Sequence, residues 1–188
     1  MKRRVLVPLI ALALGACSAT TPAIHFYSLS QGSSSHANNS VVPQHELQLA
    51  PLTLSDQIDS VNLVYELPGH ELQLAEQNRW AGTLDNQLEQ LTLEGLSARL
   101  PGWVIREEGG KGPRLSLRVQ QFAGRYDGKA LVTVRWRLIG EDGKVLLDKL
   151  FQSERPLPTD GYNALVGELA SSWSALLDDV AKGVSATH

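Results

Sequence analysis

Two runs of strict alternation near the middle of the chain demand a sheet with one wholly apolar face. Leu115, Leu117 and Val119 alternate with Ser116, Arg118 and Gln120, and Val132, Val134, Trp136 and Leu138 alternate with Thr133, Arg135 and Arg137. Successive side chains of a strand point to opposite faces, so each run buries one set and wets the other. Turn signals at Asp127-Gly128 and Glu141-Asp142-Gly143 separate these runs from a third, Val145 to Phe151, which predicts an antiparallel meander. Something must cover its oily face. Tyr162, Leu165, Val166, Leu169, Trp173, Leu176, Leu177 and Val180 make a continuous stripe at helical spacing, opening after Pro158-Thr159-Asp160 and fading at Lys182-Gly183. That helix is the expected cover.

The first half reads less cleanly. His25 to Leu29 suggests a first strand, and the Ser/Asn/Gly-rich stretch from Gln31 to Gln44 a flexible surface loop. Leu47, Leu49, Leu52 and Leu54 alternate about Pro51, which should bend or end their strand. Val61 to Leu67 is a further strand, Pro68-Gly69 a turn, and Glu71 to Leu74 extended. Trp80, Leu84, Leu88, Leu91 and Leu96 then fall at helical spacing, which predicts a helix over about 78–98 with Asn78 as N-cap and Gly95 or Pro101-Gly102 as the stop. With no repeat and no second composition block, the economical architecture is a single α/β (α+β) sandwich. Its sheet should be mixed and largely antiparallel, packed by two amphipathic helices.

The amino terminus follows different rules. Met1-Lys2-Arg3-Arg4 precedes an apolar run from Val5 to Leu14, the basic and hydrophobic regions of a secretory signal. Ten helical residues rise about 15 Å, half a hydrocarbon core, so the run is too short for a permanent span. The chain has a single cysteine, Cys17, which excludes an internal disulfide and any multi-thiolate metal site within one chain. Leu14-Gly15-Ala16-Cys17 resembles the bacterial lipobox. That resemblance implies cleavage between Ala16 and Cys17, a diacylglycerol on the thiol and a third acyl chain, such as palmitate, on the freed amine. Ser18 in place of Asp implies export to the outer membrane. The expected organisation is therefore a signal peptide at 1–16, a lipidated tether at 17–23 and one domain at 24–188. Losing Lys2, Arg3 and Arg4 leaves 14 basic against 20 acidic side chains, a net charge of −6 rather than the −3 of the whole chain. Neither that balance nor a pI near 5.9 suits nucleic acid.

Several pieces together resemble one family. The aromatic strand Phe26-Tyr27-Ser28-Leu29 follows closely on the lipobox. Leu63-Val64-Tyr65 leads into Asn78-Arg79-Trp80-Ala81 and a leucine-striped segment, and a meander and long amphipathic helix end the chain. The pattern is similar to the auxiliary lipoproteins of ABC-type transport, of the PqiC type, over nearly the whole mature chain. The resemblance implies a lipoprotein on the inner leaflet of the outer membrane, its domain facing the periplasm. It also implies work with an MCE-domain protein that moves lipids between membranes. Family members often carry arginine after the Leu-Val-Tyr strand, where this chain has Glu66, so no role for that arginine carries over. Phe26, Tyr27, Leu29 and Trp80 are the family-motif positions.

No G-x-S-x-G elbow, H-E-x-x-H helix or P-loop occurs, and His25, His36, His45, His70 and His188 are scattered. The expectation is a protein that is not an enzyme and holds no cofactor or metal beyond the acyl chains of Cys17. Trp80, Trp136 and Trp173 sit on apolar faces and read as core anchors; Trp103 reads as a loop residue. Arg135 and Arg137 share one strand face, with Arg114 and Arg118 beside them, a candidate basic patch for headgroups or an acidic partner. On the last helix Ala164, Gly167, Ser171, Ser174 and Asp178 line the face opposite the stripe. Gly167, Ser171 and Ser174 could admit a second helix, from this chain or from another copy in a homo-oligomer. The leading function is an adaptor of an intermembrane lipid transporter; the alternative is a carrier holding an acyl chain between sheet and helix.

Overall fold

The computed structural model describes residues 22–29, 43–107 and 109–187. The signal segment, Cys17 and most of the loop from Gln31 to Gln44 lie outside the described residues, as do His36 and His188. Among the described residues the chain forms nine strands in one mixed, open sheet and two helices, an α+β fold.

The meander stands as its alternation demands. β7 (Arg114–Arg125) pairs antiparallel with β8 (Lys129–Ile139), and β8 with β9 (Val145–Pro156), each through a ladder running the length of the strands. Leu115, Leu117, Val119, Val132, Val134, Trp136 and Leu138 are all buried on one face. The other side of β7 is shared by three shorter strands, all parallel to it. β2 (His45–Leu49) meets its start, β3 (Thr53–Leu54) its middle and β4 (Asn62–Glu66) its end. Pro51 separates β2 from β3, since proline cannot donate to a ladder. β6 (Trp103–Arg106) extends the sheet beyond β2, and Trp103 is therefore a strand residue rather than a loop residue, stacked on His45 with centroids 4.8 Å apart. β5 (Leu72–Trp80) pairs antiparallel with β4, and β1 (His25–Tyr27) closes that side parallel to β5.

The first helix starts later than its apolar spacing predicts. Residues 78–80 belong to β5, and α1 spans Leu84–Arg99 with Thr83 as N-cap. The Trp80–Leu84 spacing imitates a helical turn, but Trp80 is held on both sides by strand bonds. Its N–H donates to Val61, and the next N–H, of Ala81, donates to Tyr27. Asn78 caps nothing; its side-chain oxygen accepts the Tyr27 hydroxyl at 2.9 Å. Gly82, at φ +124°, makes the break. Gly95 lies inside α1, where a Cβ would collide with Leu177, so that glycine serves helix packing and the helix runs on to Arg99.

α2 (Tyr162–Ala186) covers the sheet as expected, burying Leu165, Val166, Leu169, Trp173, Leu176, Leu177, Val180 and Val184. It passes through Lys182-Gly183 instead of fading there. Gly183 faces the core, its missing Cβ leaving room for the Trp136 ring, which would otherwise stand 2.6 Å away. Between the two layers Trp80, Phe122 and Trp173 form a chain of rings with neighbouring centroids 6.0 and 6.1 Å apart. Two of the indole N–H groups have side-chain acceptors: Trp173 donates to Thr92 Oγ1 at 3.3 Å and Trp136 to Asp179 Oδ2 at 3.0 Å. Lys149 lies over the Trp136 ring, 5.2 Å from its centroid, and reaches Asp179.

Candidate functional site

The face of the meander turned away from α2 carries the arginine patch. Arg135 and Arg137 project from β8 on the exposed side, and Arg118 lies directly opposite Arg135 on β7. Arg114, exposed at the start of β7, completes the group. One carboxylate faces them. Asp148 of β9 stands opposite Arg137, accepts two hydrogen bonds from Arg135 at 2.7 and 2.8 Å, and takes a third from Arg137 at 3.0 Å. The fork on Arg135 holds the Asp148 carboxyl below the usual range and raises the guanidinium in turn. Arg114 and Arg118 have no carboxylate partner among the described residues. Like charges directly opposite each other across two strands destabilise a sheet, so the Arg118–Arg135 pair is not there for stability. On an acidic chain this is a local excess of positive charge.

A second ionic cluster, missed in the sequence, sits at the tip of the β7–β8 hairpin. Arg125 bridges Asp127 at 2.8 Å and Glu154 at 3.0 Å, and Lys129 reaches both. The Arg125 hydrogen bonds hold Asp127 down at about 2 and Glu154 below its ordinary value. The signal was present: Arg125, Asp127 and Lys129 flank the Asp-Gly turn, and the meander register puts Glu154 beside them. Asp148 was legible the same way.

The other singled-out residues are dispersed. Trp80, Trp136 and Trp173 are buried. Tyr27 is half-buried and tilted against Tyr162, 6.2 Å between centroids, and Leu29 is buried with its N–H donated to Gln87 of α1. Phe26, just before Tyr27 in sequence, is 64% exposed. Gly167 faces open space, so neither described helix packs on it. Ser171 bonds back to the Gly167 carbonyl, and Ser174 accepts from Arg99, which also pairs with Asp178 at 2.6 Å. The intrachain helix packing occurs instead at Gly95 and Leu177. A groove of about 530 Å³ runs along the ends of α1 and α2 between Arg99, Asp178, Ala181, Lys182, Ser185 and Ala186; it is open and charged. No described helix is long and apolar enough to cross a membrane.

Residues 27–181 match the family of the ABC-type transport auxiliary lipoprotein component. The chain is 31% identical over 181 residues to the intermembrane transport lipoprotein PqiC of Escherichia coli (strain K12), covering 95% of this chain and 96% of that one. It is equally similar to PqiC of Shigella flexneri. Among solved structures, an uncharacterised protein superposes with a TM-score of 0.76 at 26% identity, over 87% of this chain and 99% of the other. A protein from Xanthomonas campestris shares the fold at a TM-score of 0.70 and 17% identity, over 84% of this chain and 92% of the other.

Proposed function

The chain belongs to the family of ABC-type transport auxiliary lipoprotein components, which is not an enzyme family, and on that premise we propose that it is the outer-membrane-anchored adaptor of an MCE-type intermembrane lipid transport system. The observation that carries the proposal is the near full-length similarity to a lipoprotein named for intermembrane transport. Cleavage before Cys17 leaves an acylated first residue, and two or more acyl chains hold a protein firmly where one does not. The tether confines the domain to the membrane surface and raises its effective concentration for a partner that spans the periplasm.

The arginine face supports the adaptor reading. Arg135 and Arg137 share the single carboxylate of Asp148, so with Arg114 and Arg118 they leave a net positive face suited to carboxylates of an MCE-domain partner. The carrier reading is less well supported, because the space between sheet and α2 is filled by Trp136, Trp173 and Phe122, each 0–1% exposed. The face of α2 bearing Gly167 and Ser171 stays open among the described residues, whereas Ser174 is held by Arg99 of the same chain. Crosslinking intact cells and isolating the protein from their membranes tests the proposal. An MCE-domain protein as the main adduct supports it, and a biosynthetic enzyme complex in its place overturns it.

A further inference from the structure

The anchor and the sheet register together orient the domain. β1 is parallel to β5, with His25 level with Asn78 and Tyr27 with Trp80. The chain therefore enters β1 from the Leu72 end of β5, and continuing the register sets Pro22 level with Ala75. Pro22 lies five positions after Cys17, a reach of at most about 18 Å. Ala75 to Leu72 uses about 10 Å of it. Cys17 can extend only about 8 Å past the end of β5.

That end of the sheet exposes apolar side chains: Leu72 is 43% and Leu74 46% exposed, whereas Phe26, level with Arg79, lies at the other end of β5. Glu66 faces Leu72 across the β4–β5 ladder, and its carbonyl accepts the N–H of Tyr126, which is 57% exposed. Tyr126 and Leu72 are thus two strand spacings apart, about 10 Å. Beside them Arg125 and Lys129 are spent on Asp127 and Glu154, and Glu66 and Glu71 add two further carboxylates. The opposite end, the β8–β9 turn around Glu141, lies just beyond the level of Arg114, about 35 Å away along the strands.

We infer that this end of the sheet, led by Leu72, Leu74 and Tyr126, docks into the headgroup region of the membrane that holds the anchor. Tyrosine and exposed apolar side chains suit that boundary, one part wet and one part oily. The domain stands on its β4–β5 and β7–β8 turns, and Arg114 and Arg137 lie toward the far end of the meander. The inference rests on the Cys17 anchor.

The test uses the mature acylated chain in phosphatidylcholine vesicles doped with a nickel-chelating lipid. Acylation blocks Cys17, so a nitroxide can be placed on Glu71→Cys or Glu141→Cys alone. Enhanced relaxation at position 71 and none at 141 is the expected result, lost at 71 in the L72S/Y126S background while the protein still floats with the vesicles. Co-flotation with equal enhancement at both positions, none at 71, or no effect of L72S/Y126S overturns the docking and leaves the anchor standing. A chain that does not float with the vesicles overturns the anchor and the docking with it.

Discussion

Replacing Gly183 and Gly167 by alanine, one at a time, should move stability in opposite directions although both lie in the same helix. An exposed interior glycine costs a helix about 1 kcal/mol relative to alanine. At Gly167 an added Cβ meets nothing within 4 Å, so G167A should recover most of that, and the midpoint should rise roughly 2–4 °C for a domain of this size. At Gly183 the same atom would stand 2.6 Å from Trp136 Cη2 and 3.1 Å from Leu147 Cδ1. Trp136 is 0% exposed and pinned by Asp179 and Lys149, so it cannot swing aside. Overpacking of a tight core costs about 1–3 kcal/mol, and the propensity gain in the last helical turn is too small to offset it. G183A should lose roughly 1–2 kcal/mol, about 2–8 °C. Thermal unfolding followed by circular dichroism measures both. A G183A midpoint at or above wild type would mean that Trp136 does not lie under Gly183, and the register of α2 on the sheet would be wrong. A G167A midpoint below wild type would show that a second copy already packs on that face.

Three further outcomes are expected. The Asp127 carboxyl sits at about 2, against an ordinary 3.8, so its contribution to stability is full above about pH 4 and drains away as pH falls toward 2. D127N should flatten the acid limb of the midpoint-against-pH curve, and an unchanged limb would remove the hairpin cluster from the account. R135E/R137E should weaken crosslinking to the MCE-domain partner, and unchanged adduct yield would discard the arginine face as its docking site. T92V leaves the buried Trp173 N–H without its acceptor, at a cost of about 1–3 kcal/mol; a neutral substitution in urea titration would refute the bond.

The meander and the final helix were legible because both carry one periodicity over many residues and pack against each other. The short strands were harder to delimit, since two to five residues cannot establish a period. The first helix was misplaced because Trp80 stands four residues before Leu84, and only the pairing of β1 and β4 with β5 shows that Trp80 ends a strand. Gly95 and Gly183 looked like stops, whereas tertiary packing uses each for its missing Cβ. The arginine face could be read from alternation alone. Its counter-charge, Asp148, needed the β8–β9 register, as did the hairpin cluster around Arg125. The family-motif residues had no common physical signature, because Phe26 is exposed and Trp80 is buried.

The central claim is that the domain is held to a membrane by its first mature residue, and the intact mass of the protein extracted from cell membranes tests it most directly. The account predicts a chain beginning at Cys17 whose mass exceeds the polypeptide by a diacylglycerol and a third acyl group, with C17S recovered free of the membrane. An unmodified Cys17, or a C17S protein still firmly membrane-bound, would contradict it.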